Sequence, residues 1–294
     1  MNKFQPHIMP VYPPNNFKIF EEWFDENYSN CNTDRELLPV YFTGYHVNNN
    51  YGNDKEARRE LNDFLGTLDK NKKYFTIIQY DDGSMIDWRL FGLDVLEFNM
   101  SKTNGIMIPL ICQPHPYKFK GGKKLLASFV GGRTHPIRNE LEKLKNRDGY
   151  FITYDLTNIE TYCRVMHESI FTLCPRGYGI NSFRICEAMQ YGSIPVYISD
   201  DFVQPFDANF YDFGVAINSR HIEFLAEELE KIEPEEIVKK QDNIQKYYEE
   251  YYTYEGCFKN IIKSLETEYN LRKEKGEIAK HDEGGDLTNS IHRY

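Results

Sequence analysis

The 294-residue sequence contains no run of about 18 apolar residues, so it offers no membrane-spanning helix. Its opening, MNKFQPHIMPVYPPNN, lacks the apolar stretch of a secretory signal. No CxxC pair occurs among its six cysteines, and Cys112, Cys174 and Cys186 lie in apolar segments. A zinc site or disulfide framework is therefore not expected; buried free thiols and a cytoplasmic location are. Positive charge is scarce, 35 Lys and Arg against 45 Asp and Glu, and the net charge of −10 argues against a nucleic-acid partner. No Gly-Lys-Ser/Thr phosphate loop, internal repeat or low-complexity tract is present. What remains is 40% hydrophobic and 15% aromatic, enough for an ample core in one large or two modest domains.

Along the chain, apolar runs alternate with helical periodicity, the pattern of βαβ units and a mostly parallel sheet. The spacing predicts helices over 17–28 and 54–69 and strands over 37–45, 74–80 and 105–112. The loops bearing His46, Asp81/Asp82 and His115 would then open at strand carboxyl ends. A basic, glycine-bearing joint at 118–124 marks the boundary between residues 1–120 and a second unit at 121–272. That unit reads as five strands, at 125–130, 149–154, 170–174, 194–198 and 213–217, with helices between them. Pro136 suits the first position of one helix, and Thr157-x-x-Glu160 has capping-box spacing for another. Beyond residue 222 the chain is acidic and helical, with Tyr247, Tyr248, Tyr251 and Tyr252 expected to pack on the body, and 273–294 reads as a mobile tail.

The densest chemistry lies at 170–200, IFTLCPRGYGINSFRICEAMQYGSIPVYISD. It reads as strand, glycine- and arginine-bearing loop, helix and strand, with the loop at a strand carboxyl end, where open α/β sheets bind ligands. Gly177 and Gly179 permit backbone angles and close approach; Asn181 or Ser182 can cap the helix. Arg176 and Arg184 flank its N-terminus, so side-chain and helix-dipole potential could converge on an anion. Glu187 lies nearly one turn beyond Arg184. Between 125 and 199 there are eight Lys/Arg and seven Asp/Glu, so the rest of the chain carries −11. On residue types alone, this could equally be an exposed Arg184–Glu187 helix pair, worth about 0.3–0.5 kcal/mol.

The string CPRGYGINSFRICEAMQYGSIPVYISD, with SFVGGRTHPIRNEL before it, resembles the C-terminal motif of the exostosin-like glycosyltransferases, glycosyltransferase family 47. The Pro-Arg-Gly loop, Ser-Phe-Arg helix start, Glu-Ala pair and Pro-Val strand occur in the family's order. The likeness is clearest over 125–218 and weak before 70. It implies two Rossmann-like domains facing a cleft, a GT-B arrangement, with the acceptor on 1–120, the sugar nucleotide on 121–272, and the C-terminal helices packing back on the body. It implies Glu187 on the ribose hydroxyls and Arg133, Arg176, Ser182 and Arg184 around the diphosphate. Arg138, Gly177 and Tyr178 are further binding candidates; Arg138 can equally be a solvated first-turn residue, and Tyr178 can stack on the base or simply fill. It also implies inversion at the anomeric carbon and no obligatory metal or other cofactor, in keeping with the absence of any Asp-x-Asp.

Inverting transfer needs a base for the acceptor hydroxyl. Asp82 with Asp81 beside it, then His46, then Asp200 are the candidates, each also explicable as turn chemistry. The sequence thus points to transfer of a sugar from a UDP-sugar to a glycan hydroxyl. Two alternatives stay open at this point: a nucleotide-sugar epimerase or dehydrogenase, for which the glycine fingerprint is incomplete, and a non-catalytic nucleotide- or sugar-binding protein.

Overall fold

The computed structural model describes residues 18–277 except 30, 39, 102–104 and 156–157. Its first part comprises α1 (Phe20–Asn27), β1 (Arg35–Leu37), α2 (Phe42–Asn48), α3 (Lys55–Gly66), β2 (Lys73–Ile78), β3 (Asp94–Asn99) and β4 (Ile106–Met107). The four strands form a parallel sheet in chain order. Asp54 starts α3 by accepting from the Glu56 and Ala57 amides, as a helix cap should.

The sequence expectation differs here in three places. Residues 37–45 are not a strand: β1 stops at Leu37 and α2 begins at Phe42. The apolar run at 105–112 pairs over two residues only, because Pro109 removes a donor and Ile108, Leu110 and Ile111 are buried as irregular chain. Strand β3 went unread because Glu97 interrupts its apolar pattern. That carboxylate is buried and accepts from Ser84, from Trp88 Nε1 (2.7 Å) and from Asn99 Nδ2 (2.7 Å).

Residues 108–124 then run as irregular chain into a second parallel sheet. It contains β5 (Leu125–Val130), β6 (Tyr150–Thr153), β7 (Ser169–Pro175), β8 (Ile194–Ser199) and β9 (Val215–Asn218), with α4 (Ile137–Glu140), α5 (Ile159–Glu168) and α6 (Arg184–Gln190) between them. All five strands fall where the apolar runs place them. β8 is buried throughout and β7 at all but one position, the signature of a parallel sheet covered on both faces. Their order is β6-β5-β7-β8-β9, so connections leave β5 toward one side and β7 onward toward the other. The carboxyl ends of β5 and β7 therefore flank a topological switch point, the crevice where doubly wound sheets take ligands. Asn158 caps α5 by accepting from the Thr161 amide; the expected cap, Thr157, lies outside the described residues.

The chain closes with α7 (Leu225–Glu230), α8 (Pro234–Tyr247) and α9 (Tyr254–Glu274), the last two joined by one π-helical turn over Tyr248–Tyr252. Tyr248, Tyr251 and Tyr252 are buried, as their apolar rings require. Helix α9 crosses back onto the first sheet: Phe258 packs 4.9 Å from Phe24 by ring centroids, and Glu268 pairs with Arg35 at 2.9 Å. One core cluster consequently joins both sheets, while a second, around Leu38, Phe42, Leu61 and Ile78, fills the other face of the first sheet. The expected tail at 273–294 lies largely outside the described residues.

Candidate active site

At the switch point, the Arg184 guanidinium lies 4.8 Å from the Phe129 ring centroid and donates through Nη2 to the Val130 carbonyl at 2.8 Å. Gly131 makes this possible, since a Cβ there would sit 2.5 Å from Nη2. The Arg184 Nε is buried without an acceptor, an unmet donor on a charged group. Near one turn along α6, Glu187 is half-buried and turned to partners rather than displayed on a solvated face. Its Oε1 is 3.1 Å from His115 Nε2, and its Oε2 accepts from the Tyr162 hydroxyl at 2.5 Å. Burial works to raise its pKa, but the His115 and Tyr162 hydrogen bonds and the Arg184 charge outweigh it and hold the carboxyl below the usual range.

The other predicted arginines are committed to partners in the surrounding loops. Arg138 is buried, and its guanidinium donates to the carbonyls of Arg176 (2.9 Å), Gly132 (3.0 Å) and Pro175 (3.3 Å), tying the β5 and β7 loops together. Burial first, then the nearby Arg184 charge, lowers its pKa to about 10. Gly177 packs against this clamp: a Cβ would meet Arg138 Nη2 at 3.4 Å. Arg176 donates to Asp200 (2.7 Å), the Tyr178 carbonyl (3.1 Å) and the Gly179 carbonyl (3.2 Å). Arg133 lies exposed, its guanidinium 3.5 Å from the Tyr154 ring centroid and paired with Asn139 and Glu142. Ser182 accepts from the Arg184 amide at 3.3 Å and so starts α6. Tyr178 is 81% exposed, free to meet a ligand and absent from the core.

Opposite this loop stands the turn after β2. The Gly179 amide donates to Asp81 Oδ2 at 3.0 Å, and a Cβ at Gly179 would collide with that carboxylate. Neither Gly177 nor Gly179 adopts a positive φ; of the two roles open to them, close approach is what Gly179 supplies. Burial raises the Asp81 pKa to about 6 against the opposing Gly179 bond, while Asp82 beside it is exposed. His46 sits not at a strand end but in α2, buried, its ring centroid 4.6 Å from Tyr80 and its Nε2 3.0 Å from the Ser84 carbonyl. Burial lowers its pKa.

Two residues here were not on the sequence's list of site candidates. His115 arrives from the irregular chain between the sheets and Tyr162 from α5. The Gln-Pro-His-Pro string hints at a held histidine, but nothing in the local pattern of α5 marks Tyr162.

The Exostosin GT47 domain profile matches residues 79–232, just over half of the chain and the whole of this crevice. The chain belongs to the exostosin GT47 family. A probable glycosyltransferase of Arabidopsis thaliana is 30% identical over 151 residues, which is 50% of this chain and 28% of that protein. A probable beta-1,4-xylosyltransferase of the same plant is 43% identical over 83 residues, 28% of this chain and 20% of its own. An exostosin-1 homolog of Caenorhabditis elegans is 24% identical over 243 residues, 64% of this chain and 63% of its own. The chain thus spans only part of each relative's length. Within the GT47 match lie Asp81, His115, Arg184 and Glu187, so residues from both sheets fall inside one family domain. No helix among the described residues is long and apolar enough to cross a membrane.

Proposed function

We propose that this chain is an inverting glycosyltransferase that moves a sugar from a UDP-sugar to a hydroxyl of a glycan without an obligatory metal, in a cleft between two Rossmann-like halves of GT-B type. The observation that carries the reading is the half-buried Glu187 carboxylate, held by His115 and Tyr162 beside Arg184 at the switch point. A carboxylate there accepts two hydrogen bonds from a ribose diol, and a guanidinium with an unmet donor suits a diphosphate. Family membership supports uridine as the base and a glycan as the acceptor.

In this reading the diphosphate lies against Arg184 and the start of α6, with Arg138 and Ser182 shaping the loops around it. Asp82, exposed on the turn that Asp81 anchors to Gly179, removes the acceptor's hydroxyl proton. The oxygen forms its bond to the anomeric carbon as the bond to the diphosphate breaks on the opposite face, and UDP leaves with that electron pair. His46 supports the turn through Ser84.

Thermal unfolding against UDP, other nucleoside diphosphates and a panel of UDP-sugars, with and without EDTA, tests this. A ligand at about 100 times its dissociation constant stabilises by roughly 2.7 kcal/mol. Stabilisation by UDP or a UDP-sugar, unchanged by EDTA and lost in Glu187→Ala, is expected. Indifference to every uridine nucleotide overturns the assignment.

A further inference from the structure

The face of α6 that carries Glu187 is gripped by the chain that joins the two sheets, not by a sheet. Gln190 Oε1 accepts from the His115 amide at 3.1 Å, and its Nε2 lies 3.5 Å from both the Gln113 carbonyl and Cys112 Sγ. Cys186 Sγ points at the Cys112 carbonyl at 3.8 Å. Cys186, Glu187 and Gln190 occupy neighbouring positions on the helix, so 112–115 runs along one stripe of it. His115 is flanked by Pro114 and Pro116, which restrict the backbone on either side of the imidazole.

A glutamate's terminal torsion is soft, and an unheld carboxylate samples a broad range. Here one oxygen is taken by His115 and the other by Tyr162. That fixes the carboxylate plane. Each oxygen keeps a second lone pair, and 15% of the Glu187 side-chain surface remains accessible.

We propose that His115 and Tyr162 are positioning residues that give the site its selectivity for a ribose diol, so that this selectivity is set by the segment joining the two halves. The inference rests on Glu187 meeting the ribose, as proposed above. With the plane fixed, the free lone pairs are presented to both hydroxyls together; without it, the site retains its affinity for diphosphate but loses its preference for ribose.

Calorimetric titration of the full chain with UDP, 2′-deoxy-UDP, 3′-deoxy-UDP and inorganic pyrophosphate tests this. The unaltered protein should prefer UDP over either deoxy form by roughly ten-fold or more, the weight of one charge-assisted hydrogen bond. His115→Leu and Tyr162→Phe should bring UDP down to the deoxy level while leaving pyrophosphate binding unchanged. His115→Gln, which keeps an N–H at similar reach, should restore most of the preference. If the unaltered protein ignores UDP or does not discriminate, the ribose reading of Glu187 fails and the inference with it. If it discriminates and the variants do so equally, the inference alone fails. Loss of pyrophosphate binding together with UDP would make both residues supports of the fold, which also overturns the proposal.

Discussion

Asp81 and Gly179, 98 residues apart in sequence, meet across the two sheets: the Gly179 amide donates to the Asp81 carboxylate at 3.0 Å with no room for a Cβ between them. The contact joins the turn after β2 to the Pro-Arg-Gly loop, the two segments that face each other in the crevice. Gly179→Ala would place its methyl 2.2 Å from the Asp81 carboxyl carbon, so the turn must move or the bond must break. We expect a loss of roughly 1–3 kcal/mol in urea unfolding, the usual range for overpacking. Asp81→Ala on its own loses the bond but opens the space. The double variant should therefore be no less stable than Asp81→Ala alone, and additivity of the two losses would refute the steric account.

The same carboxylate sets a pH dependence. Its pKa is raised by burial to about 6, from an ordinary value of 3.8. The folded chain therefore holds this proton where the unfolded chain has released it, so ionising Asp81 costs stability as pH rises from about 4 through 6. Asn at this position cannot ionise and can still accept the Gly179 amide. Asp81→Asn should match the original protein below pH 4 and exceed it by roughly 1–3 kcal/mol above pH 7. Glu21, buried under Thr43 and Gln79 and raised by burial to about 7, remains in both proteins and cancels in the difference. A stability difference that does not vary with pH would show that Asp81 is not held in this way.

In the sequence Arg133 is the stronger binding candidate and Arg138 can equally be a solvated first-turn residue; in the fold their weights for stability run the other way. Arg138 holds three carbonyls from two loops, and Arg133 lies on the surface against Tyr154. Arg138→Lys should cost about 2–4 kcal/mol, because one ammonium cannot span the fork and buried carbonyls are left unmet. Arg133→Ala should cost under about 1 kcal/mol. Chemical denaturation of the two variants decides this, and equal losses would remove the clamp.

The second sheet was legible because β7, α6 and β8 agree at every level: unbroken apolar strands, a glycine loop and a helix bounded by Ser182 and Gly192. The first sheet was less so. Leu38, Val40 and Phe42 alternate like a strand, yet Phe42 and Tyr45 bury on a helix in the same core, and a short apolar run fits both periods. Arg184 and Glu187 could be chosen from their motif. Tyr162 could not, since its hydroxyl has meaning only once α5 lies against α6. The arginines mark a related limit: a sequence shows that Arg138 is cationic, but only the fold shows that its donors are spent on carbonyls.

Gly131 sets where the Arg184 charge can lie. A methyl there would approach Arg184 Nη2 to 2.5 Å, and the atom it meets is the far end of a long side chain. The guanidinium must swing off the buried Val130 carbonyl, so Gly131→Ala should cost roughly 1–3 kcal/mol in unfolding, the range for one buried acceptor left unmet. The positive charge at the switch point would also be displaced. Binding of pyrophosphate and UDP should fall by roughly ten-fold or more, the weight of one charge-assisted hydrogen bond. Arg184→Ala should weaken both ligands at least as far, and adding Gly131→Ala to it should change nothing more. A Gly131→Ala protein that binds pyrophosphate as tightly as the original would mean that Arg184, for all its unmet donor, is not what holds the anion.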